Sequence, residues 1–109
     1  MKKLLLILLC LPMIGFGQQT YVPDDNFEAY LEANGMGNGI PNDDYVTTSN
    51  INTTGGLYVS NQNISDLTGI EDFISLVSFV CNDNQLTTLD LSNNTDLSYL
   101  ECWVTSLQA

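Results

Sequence analysis

From residue 54 onward the chain repeats itself, and this constrains the fold more than any other feature of its 109 residues. The segments "LVSFVCNDNQL" (76–86) and "LSYLECWVTSL" (97–107) superpose with a displacement of 21 residues, and "TGGLYVSNQNI" (54–64) precedes the first of them by 22. All three share a core template: apolar, one variable, apolar, two variable, a polar amide or hydroxyl, one variable, apolar. The polar slot holds Gln62, Asn84 and Thr105, and the last apolar slot Ile64, Leu86 and Leu107. Repeats of this length cannot bury an apolar face alone. They become stable by stacking on one another into a continuous core.

The template predicts how each unit is built. Alternating residues such as Phe79 and Cys81, or Leu100 and Cys102, point inward from a short strand, and equivalent strands stack in parallel at roughly 4.8 Å. A buried Asn both donates and accepts, so Asn84 can satisfy the backbone of the turn that follows its strand. Gln62 and Thr105 are poorer substitutes, so the two outer turns are expected to be less well satisfied. Between the templates, Leu67, Ile70, Phe73 and Leu76 recur every third residue, and Leu89, Leu91 and Leu97 repeat this in a span one residue shorter. For the last repeat two alignments exist. The ungapped one, with Thr105 in the polar slot, is preferred because it keeps Leu107 in the final apolar slot. The predicted fold class is an α/β solenoid, with residues 54–109 forming about two and a half to three repeats around a short parallel sheet.

A different element precedes the array. In "PDDNFEAYLEANG" (23–35), Asp25 and Glu28 are spaced as a capping box, Phe27, Tyr30 and Leu31 share one helical face, and Gly35 supplies a left-handed stop. A helix over about residues 25–34 follows, then a loop in the turn-rich "MGNGIPNDDY" (36–45). Val46 and Ile51, around "TTSN", suggest a further short helical turn. Residues 18–53 are therefore expected to be an N-terminal cap.

The first seventeen residues have the three parts of a secretory signal: Lys2 and Lys3, an apolar run from Leu4 to Leu11, and small residues at Gly15 and Gly17. Cleavage is expected near Gly17. A membrane-spanning helix needs roughly 20 apolar residues, about twice this run. Cys10 follows Leu9 rather than a small residue and reads as part of the apolar run.

Charge excludes whole classes of function. The sequence has 13 Asp and Glu, 2 Lys and no His or Arg, for a net charge of −11. Both lysines belong to the signal, so the remaining chain keeps 13 acids, no base and a formal charge of −13. Nucleic acid and anionic membrane surfaces are disfavoured as partners. No imidazole base, Schiff-base lysine or arginine clamp is left, so a non-catalytic role without cofactors is expected.

At this point the residues resemble a known family. The segment 63–103, "NISDLTGIEDFISLVSFVCNDNQLTTLDLSNNTDLSYLECW", is similar to the short bacterial leucine-rich repeats of secreted, internalin-like proteins, especially those of the Bacteroidota group. "YVPDDNFEAYLEANG" (21–35) resembles the helical cap that precedes them. The resemblance implies a right-handed solenoid with its sheet on the concave face, displayed in secreted form or on the cell surface. The sequence stops after the third template without a polar terminal cap, so the last strand is expected to be an exposed edge, paired with missing repeats or another chain.

Three sets of residues are candidates for function. Tyr58, Val80, Tyr99, Glu101 and Trp103 occupy variable positions expected on the concave face, flanked by Asp83, and are the preferred site for an extracellular protein or glycan. Cys81 and Cys102 occupy equivalent inward slots with Cα atoms about 5 Å apart, a spacing that permits a disulfide. Parallel side chains suit the required torsion poorly, and reduced thiols in a core ladder are the expectation. Asp24-Asp25 and Asn42-Asp43-Asp44 offer oxygen ligands but lack calcium-loop spacing. They are read as solvated or capping acids, with no metal. Asn52, Asn63 and Asn93 each begin an Asn-x-Ser/Thr triplet, to which no function is attached.

Overall fold

The computed structural model describes residues 17–103. The signal segment up to residue 16, and Thr105 and Leu107 of the last template, lie outside the described residues. In chain order the elements are β1 (Gln19–Tyr21), α1 (Asp25–Ala33), β2 (Tyr45–Thr47), a 3-10 turn at Thr48–Asn50, β3 (Gly56–Tyr58), a second 3-10 turn at Ile70–Asp72, β4 (Ser78–Val80) and β5 (Tyr99–Glu101). β3, β4 and β5 form a parallel sheet in that order, pairing Leu57 with Phe79 and Phe79 with Leu100. The register reproduces the 22- and 21-residue displacements of the sequence.

The inward alternation holds for the first two strands. Leu57, Val59, Phe79 and Cys81 are buried together with Ile64, Leu67, Ile70, Phe73 and Leu76, so the every-third-residue run forms the wall opposite the sheet. Asn84 takes the part expected of the polar slot, but chiefly for its neighbour. Its Oδ1 accepts from the amides of Gln62 and Ile64, both at 3.0 Å, and its Nδ2 donates to Val59 O at 2.8 Å and Cys81 O at 3.1 Å. The first turn is thus satisfied from the following repeat, against the expectation that Gln62 would leave it short. Among the described residues the Gln62 side-chain amide donates to Ser60 O.

The cap departs from the sequence reading in three respects. The N-cap of α1 is Asp24, not Asp25: its Oδ1 accepts from the amides of Asn26 at 2.9 Å and Phe27 at 3.0 Å. Glu28 does not return to the helix start. It is buried and accepts from the amides of Asp43 and Asp44, holding the loop that runs back from α1. Thirdly, that loop ends in β2, which pairs antiparallel with β1 through Thr20 and Val46. The short helical turn around "TTSN" is present as the 3-10 turn at Thr48–Asn50.

Cap and first repeat share one core. Phe27 stacks on Phe73 with ring centroids 6.3 Å apart. The second carboxylate oxygen of Asp24 accepts from Ser65 and Asp66 amides at 2.8 and 3.1 Å, so one side chain starts the helix and holds the first repeat's turn. The Thr20 hydroxyl donates to Asp72 at 2.7 Å. Gly69 has φ +109°, and a Cβ there would come within 2.8 Å of the Val22 side chain and 3.0 Å of Tyr21 O. The second repeat is one residue shorter over this stretch, with Leu89 and Leu91 two apart where Leu67 and Ile70 are three apart.

Candidate functional site

The parallel register sorts the outward side chains into rows across the strands. Tyr58, Val80 and Glu101 form one row, and Gly56, Ser78 and Tyr99 the row before it. A third row, one step further along the chain, holds Asn82 and Trp103, which are joined by a 3.0 Å bond from the Trp103 amide to Asn82 Oδ1. All five proposed residues therefore lie on one face. Tyr58 is 56% exposed, Tyr99 49% and Trp103 52%, while Val80 and Glu101 are half-buried between them.

These side chains hold one another in place. Asn82 Nδ2 donates to Glu101 Oε1 at 3.1 Å, and the Tyr99 hydroxyl donates to Glu101 Oε2. The Tyr99 hydroxyl, and after it the Asn82 amide, lower the Glu101 carboxyl below the ordinary glutamate value. The same bond raises the Tyr99 phenol, because a phenolate there would face a carboxylate. Each Glu101 oxygen has a remaining lone pair for an external donor. Tyr58 lies back over Gly56, where its hydroxyl would be 2.6 Å from an added Cβ. Asn82 escaped the sequence reading. It occupies an outward position yet is buried, and only the bonds that it makes to β5 and Trp103 explain its place.

Behind this face, Cys81 and Cys102 are joined by a disulfide with Cα atoms 4.6 Å apart, which corrects the expectation of reduced thiols. The equivalence of their slots brought the backbones within bonding range. A cross-link closing 21 residues contributes about 3 kcal/mol by restricting the unfolded chain. Here it ties β5 to the rest of the sheet.

Two other regions carry polar side chains in numbers. Carboxylate oxygens of Glu28, Glu32 and Asp43 lie within 4.8 Å of one another, as do those of Asp25, Glu28 and Asp44. Three of these acids are already engaged by the loop: Glu28 by the amides of Asp43 and Asp44, Glu32 by those of Asn38 and Gly39, and Asp43 by the Asn38 side chain. Burial, and then the neighbouring Asp43 carboxylate, raise Glu28 above its usual value. Away from the sheet, a shallow depression of about 350 Å³ is lined by Asp66, Glu71, Thr88, Leu89, Asp90 and Asn93 among others. Asp66 and Asp90 there accept from the amides two residues ahead, as acids in turns do.

No family model matches the chain. Over 75 residues, 69% of its length, it is 38% identical to Internalin J of Listeria monocytogenes, and it spans 8% of that protein. Among solved structures it matches the functional domain of InlJ from Listeria monocytogenes, described as including a cysteine ladder, with a TM-score of 0.60 and 34% identity. That match covers 82% of this chain and 21% of the other.

Proposed function

This chain is an internalin-like leucine-rich repeat protein, and from that premise we propose that it is an exported, non-catalytic recognition module that binds an extracellular protein or glycan through the concave face of its sheet. The signal in residues 1–17, the cap in 18–53 and the repeats in 54–109, continuing the stack as a right-handed solenoid, are the organisation this reading assigns. Right-handed crossovers are the rule between parallel strands. The observation that carries the reading is the exposure of Tyr58, Tyr99 and Trp103 on one sheet face, with Tyr99 and Trp103 braced by Glu101 and Asn82. Aromatic side chains supply contact area at low entropic cost, and their exposure on a rigid sheet is what a binding face requires. A disulfide between adjacent strands suits an oxidising, extracellular setting.

The test is a comparison of two proteins on arrays of extracellular proteins and glycans. The Tyr99→Ala/Trp103→Ala variant should lose the signal of the parent while keeping its circular dichroism spectrum. An equal signal from a folded variant would reject the concave site.

A second reading, a structural or adhesion segment, is favoured by the far end of the stack. Leu100 is exposed although its slot is buried in the two preceding strands, and the buried Asn94 Oδ1 has no partner among the described residues. The open Leu100 is an apolar surface that a further repeat or a second chain would cover. Light scattering across a concentration series tests the second-chain form, which a strict monomer would sink.

A further inference from the structure

We propose that the occupant of the sheet face is a basic protein segment, which lays an arginine or lysine side chain between Tyr58 on one side and Tyr99, Glu101 and Trp103 on the other. This rests on the concave-face reading and adds the chemistry of the partner. The row that crosses the face runs from Tyr58 on β3 through Val80 to Glu101 on β5, two strand spacings or roughly 10 Å. The middle strand contributes only Ser78 and Val80, both half-buried, so the face is a trough between two exposed aromatic margins. Its floor is apolar at Val80 and suits the methylene stem of a long cationic side chain.

The far margin suits the cationic head. Glu101 sits between Tyr99 and Trp103 in sequence, and both of its oxygens are oriented by internal donors, each with a lone pair left over. Those donors also lower its carboxyl below the ordinary glutamate value. A guanidinium can take both oxygens in a forked bond while lying against an aromatic ring. The charge of the whole domain points the same way. No Lys, Arg or His follows Lys3, so no basic side chain in residues 18–109 competes for Glu101 and the field of 13 acids draws cations inward. An anionic glycan is repelled by that field, and a neutral one gains nothing from it.

The deciding experiment is an amide NMR titration of the labelled protein at about 0.15 M salt, where diffuse attraction is screened beyond roughly 8 Å. The probes are a capped Arg-Gly-Arg-Gly-Arg peptide, the same peptide with citrulline for arginine, and maltohexaose. The arginine peptide should shift the amides of Tyr58, Val80, Tyr99, Glu101 and Trp103 and bind about tenfold tighter than the citrulline peptide. Glu101→Gln should remove that difference. Trp103→Ala should weaken binding of the arginine peptide by a similar factor while leaving β3 and β4 amides in place. Equal binding of the citrulline peptide, or of maltohexaose alone, at these residues would overturn the basic-partner inference and leave the face itself supported. Shifts confined to Asp24, Asp43 and Asp66 would overturn the inference and remove support for the face as well.

Discussion

Leu57, Phe79 and Leu100 occupy one register position in three successive strands, yet their exposures are 1%, 0% and 46%. The slot is identical, so the difference lies in what covers it. At the near end the cap does: Phe27 stacks on Phe73, Gly69 allows β1 to approach, and Asp24 accepts four amides shared between α1 and the first turn. At the far end, among the described residues, Leu91, Leu97 and Leu100 remain partly or largely open and Asn94 Oδ1 is unpaired. What holds β5 is its ladder to β4, the disulfide and the Asn82 bonds. Burial in a repeat stack belongs to the neighbour as much as to the residue, and where the described neighbours leave a strand open, covalent and polar links fasten it.

The contrast can be broken most strongly in the core. Phe73→Ala should cost about 3–5 kcal/mol in denaturant unfolding, because it empties the centre of the cap–repeat junction. The corresponding truncation at the open end, Leu100→Ala, should cost under about 1 kcal/mol. Equal losses would show the two ends to be covered alike. Reduction of Cys81–Cys102 comes next. It should cost about 3 kcal/mol, and native-state hydrogen exchange should show the loss first in the amides of Tyr99 and Glu101 rather than in α1. Asp24→Ala should cost about 2 kcal/mol, at the upper end for a helix cap, since the turn at Ser65 and Asp66 loses its acceptor too.

The smallest expected effect is that of pH on the cap. Burial raises Glu28, so the folded protein holds this proton more tightly than the unfolded chain does. Its stabilising contribution is fully present below the unfolded value and is lost as pH rises through the raised folded one. Protection factors of the Asp43 and Asp44 amides, corrected for intrinsic exchange, should therefore rise on acidification from neutrality towards the ordinary glutamate value. Glu28→Gln should remove this trend. β5 amides, fastened by other means, should not follow it.

Much of the repeat region was legible in the sequence because its signal is periodic. Strand positions, register, the inward pairs of β3 and β4 and the role of Asn84 follow from the repeated template. Which turn Asn84 serves did not follow, because its Oδ1 reaches Gln62 and Ile64 in the preceding repeat. The cap was legible only where its logic is local. Helix α1 and its apolar face were found. The β1–β2 pair was missed, since two three-residue strands separated by α1 carry no pattern of their own. Asp25 and Glu28 satisfied the capping-box spacing, but Asp24 also faces the first turn and Glu28 the returning loop, contacts that local spacing does not encode. The five face residues were placed on one side by alternation alone. The Asn82 bonds that brace them, and the Asn94 bonds to Ile70 O and Phe73 O on the opposite wall, depend on the stacking of particular neighbours.

The amino-acid sequence by itself therefore determined the stack: a 21-residue period of apolar slots has one economical way to be buried, and strand alternation then assigns each residue a side. Tertiary structure alone decided whether each slot is filled. The same inward leucine is core in β3 and surface in β5, and two equivalent cysteines become a cross-link, because burial and bond formation depend on the distance to a neighbouring backbone rather than on the residue's own identity.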